Sequence, residues 1–435
     1  MIPIFRRVLI PSVLTILLSC SSSDQGPWKP LFNGTDLTEF EQLGGVARYR
    51  VEDGVIIGTT VANTENSFMA TKQIYDDFIL EFKVLVDSSL NSGVQIRSNT
   101  YLNGRVHGYQ VEIDPTPRGY SGGIYDEARL AWLNDLSENE TGRLAFKNHE
   151  WNQYRVEAIG NSIKTWINGV MCANLVDEFD EKGYIAFQVH NVDVVKKPWT
   201  EGVEVKWKDI RIMTEELDTY RFKGEDPLPV KVSSLTNRLT DNEIEAGWEL
   251  LFDGVSTDKW RSVNKETFPD FGWIVENGTL HLVAQGNEES QGAGDIMTKE
   301  VYSNFEFSVD FMLSEGASSG IKYFVSENEK TSGNGIGLEY QLLDDAHYEN
   351  DTKGFKESWT LGSLYDLIPA KKKWWRDVEQ WNMARIVSDG DRVFHLLNGD
   401  TVVRHIREAE AGHILLQEDG TEVAFKNIKI RKLNP

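Results

Sequence analysis

The sequence repeats itself at a period of roughly half its length, and no other feature limits the choice of fold so strongly. Leu31-Phe32-Asn33-Gly34 returns as Leu251-Phe252-Asp253-Gly254, and Tyr49-Arg50-Val51-Glu52-Asp53-Gly54 as Trp273-Ile274-Val275-Glu276-Asn277-Gly278. Asn91-Ser92-Gly93-Val94 returns as Ser318-Ser319-Gly320-Ile321, and Gly122-Gly123-Ile124-Tyr125-Asp126 as Gly362-Ser363-Leu364-Tyr365-Asp366. Trp151-Asn152, Arg155 and Asn168-Gly169 match Trp381-Asn382, Arg385 and Asn398-Gly399. The segment from Gly183 to Gln188 matches that from Gly412 to Gln417, and Lys208-Asp209-Ile210 matches Lys426-Asn427-Ile428. The order never changes, so the 435 residues hold one domain duplicated, as a chain too long for one core requires. The expected boundaries are 28–214 for the first copy, 215–239 for a linker containing Pro227 and Pro229, and 240–435 for the second copy. Thr240-Asp241-Asn242-Glu243 has capping-box spacing and predicts a short helix leading into that copy.

Within each copy the dominant hydrophobic period is two, as in Phe78–Val84, Tyr154–Ala158 and Phe305–Phe311. Turn pairs such as Asp53-Gly54, Asn277-Gly278 and Asn398-Gly399 fall between these stretches, the pattern of antiparallel hairpins. The fold class is therefore all-β, with each copy a two-sheet sandwich or jelly roll.

The N-terminus predicts export. Arg6 and Arg7 precede an apolar stretch from Val8 to Leu18, too short to span a bilayer and suited to a signal peptide. Leu17-Leu18-Ser19-Cys20 resembles a bacterial lipobox, which makes residues 1–19 the leader, Cys20 the lipidated N-terminus and residues 20–27 a polar tether. The expected location is the periplasmic side of a membrane or the cell surface, with acyl chains as the anchor. Cys172 then has no partner and reads as a buried small apolar side chain. A net charge of -23 argues against nucleic acid as a partner.

Chemistry concentrates on one strand of each copy. Alternation puts Gln110, Glu112 and Asp114 on one face, and likewise Glu339 and Gln341 in the second copy. Carboxylates and amides in a row suit sugar hydroxyls, which need both donors and acceptors. Glu112-Ile113-Asp114 is reminiscent of a retaining β-glucanase, but Thr116 and Pro117 stand where a second acid is needed, and glycoside hydrolysis by that route needs two carboxyls.

Together the repeated motifs resemble the 3-keto-disaccharide hydrolase family, whose members are also described as 3-keto-glucoside lyases and 3-keto-2-hydroxyglucal hydratases. The motifs are Leu-Phe-Asn/Asp-Gly, Gly-x-Glu-x-Gln, Gly-x-Leu/Ile-Tyr-Asp, Trp-Asn, Asn-Gly and the closing Gly-x-Ile-x-Leu-Gln. The resemblance implies a concanavalin-A-like jelly roll in each copy and a carbohydrate substrate carrying a ketone at C3. Such a ketone acidifies the C2 proton, so one base and an oxyanion site suffice for loss of the C1 substituent, after which water adds. The second copy follows the family pattern more closely. The resemblance nominates Glu339 or His347 as base, Tyr365 and Gln341 as donors, and Arg385 or Gln417 as substrate-positioning groups, with Asp366 beside them. In the first copy Gln110, Glu112, Tyr125, Asp126 and Gln188 take the matching positions, with the order of acid and amide reversed on the polar strand.

His107 and His190 read as structural hydrogen-bonding residues as readily as functional ones. Trp132, Trp199, Trp359, Trp374 and Trp375 would serve as sugar-stacking platforms where exposed. No motif implies a nucleotide cofactor or a catalytic metal, while a structural calcium leaves little trace in a sequence and stays open. Two competing readings also stay open: a carbohydrate-binding lipoprotein without catalysis, and a structural protein that has lost any site, since folds of this class host both lectins and enzymes.

Overall fold

Period-two stretches become strands with one fully buried face, as in Phe78–Val86 and Asn382–Asp389, where buried and half-buried residues alternate along most of the length. The computed structural model describes residues 26–193, 195–196, 200–283, 294–327, 335–351, 354–406 and 411–433. The leader, Cys20 and Trp199 lie outside the described residues.

Each copy is a sandwich of two mainly antiparallel sheets. The larger sheet of the first copy runs through Val170–Asp177, Ser162–Ile167, Asn152–Ile159, Phe78–Val86, Glu204–Met213, Val55–Thr59 and Arg48–Glu52. Its smaller sheet runs Ala131–Asn134, Ile124–Glu127, Val106–Ile113, Ser92–Thr100, Tyr184–Val189, Ser67–Thr71 and Phe40–Gly44. In the second copy the larger sheet centres on Val423–Lys432, Phe305–Leu313 and Asn382–Asp389. The smaller sheet runs Trp260–Ser262, Ile296–Thr298, His413–Leu416, Ser318–Ser326 and Ile336–Leu343. Two cores result, one drawn from residues between Leu31 and Ile212 and the other from residues between Leu251 and Ile430. Each fully buried aliphatic or aromatic side chain in them contributes about 1.5–3 kcal/mol. Cys172 belongs to the first core, where burial pushes its thiol up to about 12.

Most of the repeated motifs turn out to shape these sandwiches. Asn152 and Asn168 share a hydrogen bond of 2.9 Å that locks a loop to a hairpin, and Asn382 and Asn398 repeat it at 2.9 Å. In each copy the Asn-Gly pair takes positive φ at both positions, 50° and 82° for Asn168-Gly169 and 48° and 90° for Asn398-Gly399, the twist a two-residue hairpin needs. Lys208 lies over Trp151 at 4.2 Å and Lys426 over Trp381 at 4.4 Å. Asp209 and Asn427, with φ of 53° and 54°, mark the same bulge in the last strand of each copy.

The segment expected as a linker is bound along much of its length. Lys231–Ser234 adds a parallel strand to Val170–Asp177, Lys164 pairs with Asp226 at 2.7 Å, and Asn174 donates to the Leu228 carbonyl at 3.0 Å. A four-residue strand that pairs far along the chain carries too little local pattern to be read in advance. The capping box of Thr240 and Glu243 is present and starts the helix Asp241–Glu245.

The copies also touch directly. The Leu102 amide donates to the Trp375 carbonyl at 3.0 Å, Arg105 pairs with Asp400 at 3.0 Å and lies over Trp374, and Arg376 reaches Asp180 at 2.9 Å. Trp374 and Trp375 thus join the copies, which corrects the expectation of sugar platforms. His107 is fully buried at this contact, 3.3 Å from Arg376, with burial and that arginine holding its ring neutral, so it is a structural histidine.

Candidate active site on the smaller sheet of the second copy

Along Ile336–Leu343, Tyr340 and Leu342 enter the core, so Glu339 and Gln341 point from the opposite face of the smaller sheet. The neighbouring strand Ser318–Ser326 sends Ile321 and Tyr323 inward and Gly320 and Lys322 to the face carrying Glu339. Strand register sets Lys322 opposite Glu339 and Gly320 opposite Gln341. On the far side, the Gln417 amide donates to the Gly320 carbonyl at 2.9 Å and brings the Gln417 side chain into the same row.

Gly320 makes room for this cluster. A Cβ there would stand 2.7 Å from both Gln417 Oε1 and Glu339 Oε1, so the missing side chain leaves space for the two oxygens. The Lys322 ammonium lies 4.0 Å from Glu339 and 3.8 Å from Asp295. Burial pushes the Glu339 carboxyl up to about 7, with Lys322 opposing and Asp419 and Asp295 adding to the rise. Asp295, also raised by burial, sits at about 6 despite Lys322 and the backbone N–H groups of Glu418 and Gly335. Gln341 is almost fully buried and its Oε1 has no hydrogen-bond partner among the described residues. Two carboxyls poised near neutrality, one cation and one uncommitted amide oxygen therefore share one recessed face.

Tyr365 borders this face, its amide donating to the Glu339 carbonyl at 3.0 Å. Its ring stacks with Trp359 at 6.2 Å and 18°, and Trp359 donates to Asp366 at 2.9 Å. Asp366 also pairs with Lys356 at 2.5 Å and is solvent-exposed, so its carboxylate acts on the loop that carries Tyr365 and Trp359. His347, exposed on the helix Asp345–Asp351, lies against Gly316 and edge-on to Tyr348 at 5.1 Å. Arg385 belongs elsewhere: it lies on the larger sheet, paired with Glu306 and over Trp248 at 5.9 Å, a correction to its expected positioning role. Its match in the first copy, Arg155, does the same work with Glu81 at 2.8 Å and Glu157 at 2.7 Å.

The first copy carries an altered version of the face. Gln110 stands where the second copy has Glu339, and Gln95 where it has Lys322, and Gln95 donates to Gln110 at 2.8 Å. Gln110 donates in turn to Glu112 at 3.0 Å, and Asn91 to the other Glu112 oxygen at 2.6 Å. Glu112 is pushed up to about 7 by burial, against those two hydrogen bonds. Gln188 is fully buried with both amide atoms unpartnered among the described residues, and Tyr125 lies opposite Gln110 in the register. Asp126 is instead held by Arg129, which donates to both its oxygens, so its expected contact with substrate gives way to a buried ion pair. Trp132 packs edge-on to Tyr125 at 5.2 Å with Arg118 over its ring. His190 contacts the Asn191 carbonyl at 2.8 Å.

Lys322 and Asp295 escaped the sequence reading. The signal for Lys322 was present: the alternation that aligned Glu339 with Gln341 also aligns Gly320 with Lys322 one strand away. Asp295 immediately precedes a strand of three residues, Ile296–Thr298, too short for its direction to be read.

Comparison with known proteins bears on both copies. The family model described as the 3-keto-alpha-glucoside-1,2-lyase-like domain matches residues 27–213 and again residues 247–431. A relative from Bacteroides thetaiotaomicron described as a 3-keto-disaccharide hydrolase is 26% identical over 230 residues, 43% of this chain and 79% of its own length. Among solved structures, a putative glycosyl hydrolase from Parabacteroides distasonis has 26% identity and a TM-score of 0.40, covering 46% of this chain and 100% of its own. A second from that organism has 24% identity and a TM-score of 0.35 over 43% of this chain and 99% of its own.

Proposed function

Because the chain belongs to the 3-keto-alpha-glucoside-1,2-lyase-like family, whose model it matches in both copies, we propose that its second copy cleaves the glycosidic bond of 3-keto-glycosides. Membership makes it a carbohydrate-active, glycosyl-hydrolase-like protein, and the relative's description supplies the 3-keto substrate. Glu339 is the base. Its carboxylate removes the C2 proton, the electron pair enters the C3 carbonyl as an enolate, and collapse of the enolate expels the C1 substituent, which takes up a proton. Water then adds across C1 and C2. Gln341 and Gln417 hold sugar hydroxyls, and Tyr365 with Trp359 forms the aromatic rim.

The carrying observation is the state of Glu339, a recessed carboxyl pushed up to about 7 beside a bare glycine and a cation. A base matched to neutral pH is what proton abstraction next to a carbonyl calls for. The test is incubation of the full chain with matched glucosides and 3-ketoglucosides, following aglycone release. Release from the 3-ketoglucoside alone, abolished in Glu339→Gln, is the expected result. Release from neither, with retained glycan binding, overturns it.

In the first copy the Gln95–Gln110 pair favours a second reading, glycan binding without chemistry, because amides stand where the second copy has its acid and cation, and the remaining acid, Glu112, is held by Gln110 and Asn91. Export and anchoring through Cys20 complete the proposal, supported by the leader and lipobox, and metabolic labelling with palmitate in wild type and Cys20→Ser tests them.

A further inference from the structure

We propose that Lys322 is a catalytic residue whose ammonium receives the negative charge that develops on the C3 oxygen as the C2 proton leaves. The inference rests on the reading above that the substrate is a 3-keto sugar.

Lys322 occupies the middle of the recessed face, directly opposite Glu339 in the strand register, with its side chain only 12% exposed. Its Nζ is 3.8 Å from Asp295 and 4.0 Å from Glu339, both longer than the roughly 2.7–2.9 Å of a charge-assisted hydrogen bond. The cation is therefore attracted by two carboxyls without a hydrogen bond to either. A structural lysine would close on one partner, as Lys373 does on Asp345. An ammonium 4.0 Å from the base is placed to meet the C3 oxygen while the base meets the C2 hydrogen, because those two substrate atoms sit on adjacent carbons. The first copy has Gln95 at the same position, hydrogen-bonded to Gln110 at 2.8 Å, so the cation and the carboxyl opposite it occur together in the second copy and are replaced together in the first.

The step balances without a further reactant. The proton passes from C2 to Glu339, the C–H electron pair becomes the enolate, and its oxygen accepts hydrogen bonds from Lys322. As the C3 carbonyl re-forms, the C1–O bond breaks and the proton passes to the departing oxygen, while Lys322 stays an ammonium throughout. Lys322 neither gains nor loses a proton in this sequence of steps and acts as an electrostatic donor. An imine with the ketone would need the free amine.

The test uses the full chain and a 3-keto-glucoside with a chromogenic aglycone. Lys322→Gln is expected to lower kcat about 100- to 1,000-fold with KM changed less than about threefold, as for loss of an oxyanion donor. It should also abolish exchange of the C2 hydrogen with deuterated solvent. Lys322→Arg, which keeps the cation, should recover at least about tenfold of the lost rate. A folding control is already written in the chain: the double variant K322Q/E339Q reproduces the Gln95–Gln110 pair of the first copy, and its urea midpoint should match the wild type. Wild-type turnover with an unimpaired Lys322→Gln variant overturns the role of Lys322 and leaves the reaction intact. Borohydride capture of sugar on Lys322 overturns it in favour of an imine. Failure of the wild type to act on any 3-ketoglucoside overturns both proposals.

Discussion

Glu339 and Lys322 face each other across neighbouring strands with 4.0 Å between carboxylate and ammonium, where the first copy sets Gln110 and Gln95 in a 2.8 Å hydrogen bond. Duplication has thus kept the frame and changed the charge on two opposed positions. A neutral amide pair is joined by a hydrogen bond, whereas the acid and the cation stand beyond hydrogen-bond distance of each other.

That separation predicts the pH profile. A carboxyl raised to about 7 must lose its proton to act as a base, so kcat/KM for a 3-ketoglucoside should rise about tenfold per pH unit below 7 and level off above it. Initial rates between pH 5 and 9 decide this. An acidic limb near 4.5 would show that Glu339 is not the titrating base.

Gly320 should tolerate no side chain. Alanine there would meet Glu339 Oε1 and Gln417 Oε1 at 2.7 Å and displace both. The variant should fold, losing about 1 kcal/mol or less because the obstructing atoms end flexible side chains, while kcat falls at least about tenfold. Circular dichroism melting and aglycone release measure the two effects separately.

Glu112→Gln should separate the copies. A carboxyl raised from 4.5 to about 7 by burial supports the folded state at pH below 4.5, and that support is lost as pH rises through 7. Removing it should shift stability relative to wild type in the variant's favour by up to about 3 kcal/mol between pH 5 and pH 8. Urea unfolding at both pH values tests the sign, and turnover by the second copy should stay at the wild-type rate.

Arg385→Ala tests whether Arg385 serves the fold and not the site. Because Arg385 serves the larger sheet with Glu306 and Trp248, the variant should lose about 1–3 kcal/mol of stability and keep its kcat within about twofold. A collapse of kcat at unchanged stability would return Arg385 to the site.

The all-β class, the duplication, the Asn-Gly hairpins and the capped helix at Thr240 were all legible, because each rests on local spacing. The polar face was half legible. Glu339 and Gln341 share a strand and show by alternation, whereas Lys322 and Asp295 arrive through cross-strand register, which no single stretch encodes. Arg385 misled for a related reason: it recurs beside Trp-Asn, and recurrence marks whatever the fold needs as well as what the chemistry needs. Trp374 and Trp375 could not be assigned without the contact between copies.

That contact has a consequence for how the chain can be divided. Within the first copy Arg129 balances only one of the two buried carboxylates beside it, Asp126 and Asp180, and Arg376 of the second copy supplies the other positive charge. Severed at the linker, the first half would keep an uncompensated anion at its broken edge and the second an arginine without its mate. The two copies divide one buried charge cluster between them, so either half alone should be less stable than it is in the intact chain.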